Sequence, residues 1–252
     1  MEGKISKILN FNFYLLLIFV STAVLTAGSV LLTSCGDNLY TYQMKELNEE
    51  VKSDGGKIIM RLSYAYPYID NIKNTPEIAA INDLFETQAG DYVKDNAERY
   101  SEEAREMNAE RYNYRIFEDI IYEFIVTSWV TCNKGGVYSV LQLYSEYLGG
   151  AHASNNYGAY VYDIKTGKII PYEKFMGATR EEALRKVKDV FIELIRKTPD
   201  DFFENSVDTV ESLKADDLQY YIEDDKIIFF INPYEIAAFA YGPVMAELPV
   251  IK

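Results

Sequence analysis

Residues 122–144 read YEFIVTSWVTCNKGGVYSVLQLY, and this stretch decides the fold class. Tyr122, Phe124 and Val126 alternate with other side chains, which is the period of two expected of a half-buried β-strand. The segment 133–136, Asn-Lys-Gly-Gly, supplies the residues of a turn, and a second apolar run follows it. The stretch therefore predicts a β-hairpin.

The sequence on either side of this hairpin alternates between strand and helix patterns. Residues 179–197 form the clearest helix, because Thr179 and Glu182 have the spacing of a capping box. The other predicted elements are a strand from Lys57 to Tyr66, a helix from Pro76 that continues towards Arg111, a strand over 156–164, a short helix within 200–214, a hairpin over 219–231 and a strand over 244–250. Strands and helices mixed without regular β-α-β alternation predict an α+β fold with a largely antiparallel sheet and packed helices.

We divide the sequence into four parts. Residues 1–34 are predicted to be a lipoprotein signal peptide, and residues 35–56 a polar tether that ends in a turn at Gly55-Gly56. Residues 57–155 are predicted to form a strand-helix-hairpin subdomain, and residues 156–252 a second subdomain closely associated with it.

The N-terminal segment has the pattern of an exported lipoprotein. Lys4 and Lys7 precede an apolar run, and the run ends in Leu32-Thr33-Ser34-Cys35, which resembles a bacterial lipobox. We therefore expect Cys35 to carry a lipid that anchors the protein to the cell envelope, in the periplasm or at the outer membrane. The alternative is an uncleaved signal anchor, since a run of roughly 20 apolar residues also spans a membrane. Under either interpretation residues 36–252 lie outside the cytoplasm.

The composition indicates a folded and strongly acidic protein. Of the 252 residues, 48% are hydrophobic and the formal net charge is -14. Without residues 1–34, which hold two lysines and one glutamate, the charge becomes about -15. Such a charge repels nucleic acid and anionic membrane surfaces and favours a cationic partner. Cys132 is predicted to be a buried thiol, with a reactive thiol as the alternative.

The sequence offers few residues for catalysis or metal binding. It contains one histidine, His152, and no Cys-x-x-Cys, His-Glu-x-x-His or phosphate-loop motif. Paired carboxylates cannot be singled out among 39 aspartates and glutamates. We therefore predict no catalytic residue, no metal site and no cofactor.

Two short motifs follow predicted strands. They are Gly149-Gly150-Ala151-His152 and Asn232-Pro233-Tyr234-Glu235. Adjacent glycines permit backbone angles closed to other residues, and an asparagine before proline is extended, so both motifs predict corners of the chain. A short helix is predicted from Tyr234 to Ala240. Each motif is either a purely structural corner or a candidate partner-binding site.

These motifs, in this order, resemble the extracellular region of the anti-sigma factor RsiV and the domain that precedes the catalytic domain in PdaC-type peptidoglycan deacetylases. The resemblance covers roughly residues 57–250. Besides the two motifs, the matching residues are Tyr66-Pro67, Thr166-Gly167-Lys168, the hairpin from Tyr220-Tyr221 to Phe230, Ile236-Ala237 and Gly242-Pro243. The sequence departs from the family where Ala153 stands in place of a frequent glycine.

The resemblance implies an extracytoplasmic recognition module. The sequence departs from the deacetylases because no metal-binding catalytic domain follows the module, so we expect no enzyme, with an enzyme of unrecognised mechanism as a further alternative. In the RsiV branch the recognised partner is lysozyme, a strongly basic protein, and the acidic charge of this chain agrees with that. Only about a dozen residues precede the apolar segment, so we expect no cytoplasmic sigma-binding domain. We expect a non-enzymatic envelope lipoprotein that binds lysozyme or another basic protein. The alternative is binding of peptidoglycan or other cell-wall glycan fragments through exposed aromatic rings.

Overall fold

A computed structural model of the chain describes residues 40–70, 75–113 and 120–251. The predicted signal peptide and Cys35 lie outside these residues. The strands are β1 (Tyr42–Lys52), β2 (Ile58–Ile69), β3 (Tyr122–Lys134), β4 (Val137–Tyr147), β5 (Ser154–Asp163), β6 (Lys168–Ile169), β7 (Gln219–Glu223), β8 (Lys226–Ile231) and β9 (Val244–Pro249). The helices are α1 (Pro76–Asn113), α2 (Glu173–Met176), α3 (Arg180–Lys197) and α4 (Ser206–Ser212). Strands β1 to β6 form one sheet in that order, and β7 to β9 form a second.

Strand β1 lies where the sequence predicted a tether, and that prediction is wrong for Tyr42–Lys52. β1 pairs antiparallel with β2, from Tyr42 opposite Ile69 to Lys52 opposite Ile58. Its side chains are mostly exposed because β1 is an edge strand of the six-stranded sheet. Charged side chains on an edge strand prevent its pairing with another chain. The polar composition therefore reflects the edge position of a regular strand.

The six-stranded sheet is antiparallel except between β2 and β3. These two strands run parallel, from Met60 opposite Tyr122 to Tyr64 opposite Val126, because α1 crosses over between them. One face of α1 packs on the sheet. The most deeply buried residues of that face are Ile78, Ile81, Phe85, Ala89, Val93 and Ala104.

Asparagine side chains fix the ends of several elements in the same way. The side-chain oxygen accepts from the backbone N–H of one residue, and the side-chain NH₂ donates to the carbonyl of that same residue. The amide thus makes the two hydrogen bonds that a neighbouring strand would make. We call this contact an asparagine clamp. The clamps found in the described part of the chain are Asn82 on Ile69, Asn108 on Ile120, Asn133 on Tyr40 and Asn232 on Tyr157. The first two attach α1 to the end of β2 and to the start of β3.

A polar network lies in the core between α1 and the six-stranded sheet. The buried amide of Gln142 donates to Ser128 Oγ at 2.9 Å, and its oxygen accepts from the hydroxyls of Tyr144 at 2.7 Å and Tyr64 at 3.3 Å. Ser128 Oγ donates to the carbonyl of Ala65 at 2.6 Å. Burial raises the pKa of the Tyr64 and Tyr144 hydroxyls, so both remain donors. Side chains thus join β2, β3 and β4 in addition to the backbone ladder.

The three-stranded sheet covers the opposite face of the six-stranded sheet from α1. In β8, Ile228 and Phe230 pack near Leu141 of β4. The residues on either side of Leu141 in β4 face α1, so Leu141 itself lies on the other face of the sheet. The alternate residues Ile227 and Phe229 share a second core with α3. β8 is apolar at nearly every position because both of its faces are buried. The layers therefore run α1, six-stranded sheet, three-stranded sheet, α3.

The structure confirms the α+β class and the largely antiparallel sheet. α3 begins at Arg180 with the predicted capping box, in which Glu182 N–H donates to Thr179 Oγ1 at 3.3 Å and Thr179 N–H donates to Glu182 at 3.0 Å. The hairpins β3–β4 and β7–β8 form as predicted. The predicted subdomain boundary at residues 155 and 156 falls inside β5, which pairs with β4 and so belongs to the first sheet.

Two further observations concern the thiol and the helices. Cys132 is a free, buried thiol in the second core, as predicted, and burial raises its pKa. Among the described residues, no helix combines the length and the apolar character needed to cross a membrane.

The Gln142 network predicts a large loss of stability when its central amide is removed. We expect Gln142→Met, which keeps the volume, to lower the free energy of unfolding by about 2 kcal/mol, because two buried hydroxyls lose an acceptor. Gln43→Met on the exposed β1 is the matched control and should stay within about 0.5 kcal/mol of the parent. Urea unfolding of the three proteins measures the difference. Equal midpoints for both variants would contradict the role given to Gln142.

Candidate functional site

The two motifs predicted as corners meet at the start of β5, although 82 residues separate His152 from Tyr234. Asn232 clamps Tyr157, with its oxygen 2.6 Å from the Tyr157 nitrogen and its NH₂ 3.1 Å from the Tyr157 carbonyl oxygen. This clamp holds the residues that follow β8 beside the residues that precede β5. The convergence of the two motifs therefore follows from one side chain in the second motif.

Gly149 and Gly150 differ in what the backbone requires of them. Gly149 has φ 84°, a conformation that favours glycine, and a Cβ at this position would lie 2.9 Å from Ile120 Cγ2. The φ angle of Gly150 is outside the left-handed region, and a Cβ at this position would meet only the carbonyl oxygen of His152, at 3.9 Å. Only Gly149 is therefore required by the geometry of the corner.

The second motif is buried at its base and exposed in its middle. Pro233 and Ile236 are buried, whereas Glu235 is exposed and Tyr234 is 55% exposed. Tyr234 has φ 68°, and holding a residue other than glycine in this region costs about 1 kcal/mol. The short helix predicted from Tyr234 onward is wrong. This φ interrupts a right-handed helix, and the N–H of Glu235 instead closes a turn on the carbonyl of Asn232.

Three aromatic side chains pack together at this meeting point. The imidazole of His152 stacks on the ring of Phe239, with centroids 4.3 Å apart and planes at 12°, and the ring of Tyr234 lies 5.4 Å from Phe239 at 25°. His152 Nδ1 donates to the carbonyl of Ala153 at 2.9 Å, since a carbonyl only accepts. In the neutral ring Nε2 is then an acceptor, 3.5 Å from the Tyr234 hydroxyl. We call His152, Tyr234 and Phe239 the aromatic corner.

Acidic groups accompany the aromatic corner. Glu235 follows Tyr234 directly, and partial burial raises the pKa of its carboxyl. Tyr241, two residues beyond Phe239, is also exposed. Burial, and then the nearby Asp201 carboxylate, raise the pKa of the Tyr241 hydroxyl. Glu235 is thus the acidic residue next to Tyr234 in the chain, and Asp201 is the one that acts on Tyr241.

The groups at the corner can stack and form hydrogen bonds. They are the exposed ring of Tyr234, the partly buried ring of Phe239 and the exposed imidazole of His152, and Glu235 adds a carboxylate next to Tyr234. In the ranges that the structure describes, no cluster of three or more His, Cys, Asp or Glu side chains could hold a metal ion. The sequence motifs did not include Phe239, on which both other rings pack. The available signal was the aromatic pair Phe239 and Tyr241 just after the second motif.

The fold is that of an α+β protein with two stacked sheets, and the aromatic corner lies at the start of β5. Residues 54–155 match the family model described as "Deacetylase PdaC", and residues 170–250 match the model described as "Protein of unknown function (DUF3298)". One region of the chain is therefore similar to the PdaC model and a second region to the DUF3298 model. The strands β5 and β6 bridge the two matched regions.

Solved structures show the same fold. A crystal structure of a DUF3298 family member from Bacteroides fragilis matches with a TM-score of 0.64 at 17% identity, over 85% of this chain and 92% of that chain. A crystal structure of a DUF3298 family protein from Pseudomonas aeruginosa matches with a TM-score of 0.51 at 15% identity, over 85% of this chain and 91% of that chain. No curated protein matches the sequence.

We expect the same substitution at the two glycines of the first motif to change the free energy of unfolding by different amounts. Gly149→Ala should lower the free energy of unfolding by about 1 to 3 kcal/mol, because of the left-handed backbone and the contact with Ile120. Gly150→Ala should leave it within about 0.5 kcal/mol of the parent. Thermal unfolding of the two variants provides the measurement. A Gly150 variant that unfolds as early as the Gly149 variant would be incompatible with the corner described here.

Proposed function

We propose that the chain is a non-enzymatic, extracytoplasmic recognition module that binds its partner at the aromatic corner with Glu235. The observation that carries the proposal is the convergence of both sequence motifs on one exposed ring cluster. Tyr234 is held in that cluster at a positive φ, and backbone strain of this kind collects at functional sites. Pro233, Ile236 and the Asn232 clamp supply the rigid base that a strained, exposed residue needs.

The proposed partner is a strongly basic protein, and lysozyme is the one that the resemblance to RsiV implies. A formal charge of -14 attracts such a protein over long range. At contact, a lysine or arginine of the partner can lie over the ring of Tyr234 and donate to the carboxylate of Glu235. Tyrosine is also a favoured residue at the centre of protein interfaces.

A second candidate is a cell-wall glycan fragment, and the exposure of the Tyr234 ring favours it. Sugar faces stack on exposed aromatic rings without needing charge complementarity. The two candidates differ in their response to ionic strength. Binding to a basic protein weakens steeply as salt screens the charges, whereas stacking on a neutral sugar changes little.

The combined variant Tyr234→Ala with Glu235→Ala tests the corner. We expect at least about a tenfold loss of affinity for lysozyme, because a ring contact and a charge-assisted hydrogen bond disappear. The thermal midpoint should change little, since both side chains are exposed. Titration calorimetry at low and high salt, together with thermal unfolding, gives both readouts.

The control for this variant removes the same charge elsewhere. Glu110→Ala, on the exposed side of α1, changes the net charge by the same amount as Glu235→Ala and should leave the affinity for lysozyme nearly unchanged. A corner variant that keeps its affinity for both lysozyme and a glycan fragment would refute the proposed site. A collapse of the thermal midpoint without a separate loss of binding would make the corner structural.

We further propose that a lipid on Cys35 anchors the module to the cell envelope. Cys35→Ala should move the protein from the membrane fraction to the soluble fraction or leave it unprocessed, because the thiol that accepts the lipid is missing. Ser34→Ala, which keeps a small residue before the cysteine, should fractionate like the parent. Membrane fractionation with N-terminal sequencing distinguishes these outcomes. Unchanged fractionation with an unprocessed N-terminus would establish the signal anchor instead.

A further inference from the structure

An exposed apolar area lies on the six-stranded sheet, on the face opposite α1. Phe124 and Val126 of β3 belong to the core under α1. Ile125 and Trp129 alternate with them and so lie on the other face of the sheet, where they are 36% and 44% exposed. The second sheet packs on this face only near Leu141 of β4 and on β5. The half of the face that β1 to β3 form is therefore accessible at these two side chains.

Met44 of β1 belongs to the same area and is 46% exposed. Leu47 pairs with Tyr64, which faces α1, so Met44, three residues earlier, lies on the open face. Met44 is opposite Pro67 of β2. The parallel register of β2 and β3, continued by three residues beyond its last pair, places Pro67 level with Trp129. We call Met44, Pro67 and Trp129 the apolar row.

The open face is charged at its other end. Arg61 forms ion pairs with Glu50 at 3.9 Å and with Glu123 at 3.7 Å. Met44 and Trp129 each lie six residues from these glutamates along their own strands, which is about 20 Å at the rise of a β-strand. The face is therefore polar at one end and apolar at the other.

The apolar row lies at the end of the sheet that is nearest to Cys35. The Asn133 clamp fixes Tyr40 beside β3, four residues after Trp129. Five positions separate Tyr40 from Cys35, and a chain of this length spans at most about 18 Å. A lipid on Cys35 would therefore hold the apolar row close to the surface of a bilayer.

The charges near the apolar row determine which bilayer suits it. Glu46 follows the row on the same face of β1. Burial raises the pKa of the Cys132 thiol near the end of β3, and Lys134 lowers it. The carboxylates of Asp224 and Asp225 also raise it, so they lie near this end of the sheet. Anionic headgroups would be repelled by these carboxylates, so zwitterionic headgroups fit better.

We propose that the apolar row rests on the interface of a zwitterionic lipid bilayer and so fixes the orientation of the module on the membrane. The inference rests on the lipid proposed for Cys35. Tryptophan is favoured at membrane interfaces because its ring is apolar and its N–H is polar. The anchor keeps the row and the bilayer at a high effective concentration, so a contact of small area is sufficient.

This orientation directs the aromatic corner away from the membrane. β5 begins at Ser154, beside the corner, and ends at Asp163, which pairs with Val137 just after the turn that follows Asn133. The ten residues of β5 span about 30 Å. The corner is thus presented to a partner that approaches from the side opposite the bilayer.

Trp129 is the only tryptophan of the chain, so its fluorescence reports on the apolar row directly. The full chain with its lipid is placed in vesicles of phosphatidylcholine or of brominated phosphatidylcholine, since bromine quenches a tryptophan that it contacts. Brominated lipid should lower the emission of Trp129 at least about twofold. The matched control combines Trp129→Phe with Phe203→Trp, which moves the tryptophan to a 39% exposed position beside Ile236, and its emission should not change.

A second pair of variants keeps Trp129 and covers the case in which the moved tryptophan prevents folding. Met44→Glu places a charge in the apolar row and should remove most of the quenching, because a carboxylate is costly to bring into the interface. Asn48→Glu, four residues further along the exposed edge strand, adds the same charge and should leave the quenching as in the parent.

Flotation of the vesicles separates the two ways in which the inference can fail. A protein that does not float with the vesicles overturns the lipid on Cys35 and this inference with it. A protein that floats overturns the orientation alone if Trp129 is not quenched, if both tryptophan positions are quenched equally, or if Met44→Glu and Asn48→Glu are quenched equally.

Discussion

The arrangement of the whole molecule depends on how the short parallel ladder between β2 and β3 is continued. The ladder ends at Tyr64 opposite Val126, and beyond it Ser128 Oγ donates to the carbonyl of Ala65. The buried amide of Gln142 then joins Ser128 to the tyrosine hydroxyls at the centre of the sheet. A buried polar network is stabilising only when every member finds its partner, so it admits one register of the three strands. That register sets the positions of α1 on one face and of the second sheet on the other.

Hydrogen bonds join the second sheet to the first at the open edge of β5 and on β4, in addition to the packing of their faces. Asn232 clamps Tyr157, Gln219 accepts from the N–H of Ala159 at 3.4 Å, and the N–H of Ile222 donates to Ser139 Oγ at 3.0 Å. Side-chain amides therefore occupy backbone groups that would otherwise pair with another chain. The Asn232 clamp also places the aromatic corner at one end of this edge. One set of hydrogen bonds thus covers the edge and positions the corner.

The sequence predicted the elements whose signals are local. Alternating apolar residues and a glycine turn indicate the β3–β4 hairpin, and the capping box of Thr179 and Glu182 indicates the start of α3. β1 was missed because an edge strand needs backbone pairing but little apolar surface, so its composition resembles that of a tether. Nothing in the residue type of Tyr234 indicates a positive φ, since tyrosine rarely adopts one.

The candidate site was predictable only in part, for a related reason. Both motifs could be found in the sequence, but their meeting depends on the Asn232 clamp, a contact between residues 75 positions apart. The stacking of His152 on Phe239 is likewise a long-range contact, and a lone histidine gives no sign of it. Local patterns determine strands and helices, whereas a surface assembled from distant turns depends on tertiary packing.

The asparagine clamps also determine where slow deamidation would break contacts that hold the fold. Asparagine deamidates when the backbone nitrogen of the next residue attacks the side-chain carbonyl, and the resulting aspartate can no longer donate to the clamped carbonyl. Asn82, Asn108 and Asn133 are followed by residues with an N–H, but Asn232 is followed by Pro233, whose nitrogen carries no hydrogen and cannot complete this attack. The joint between the two sheets is therefore protected from this cyclisation by the covalent structure of the chain itself, and it should be the last of the four clamps to be lost by this route.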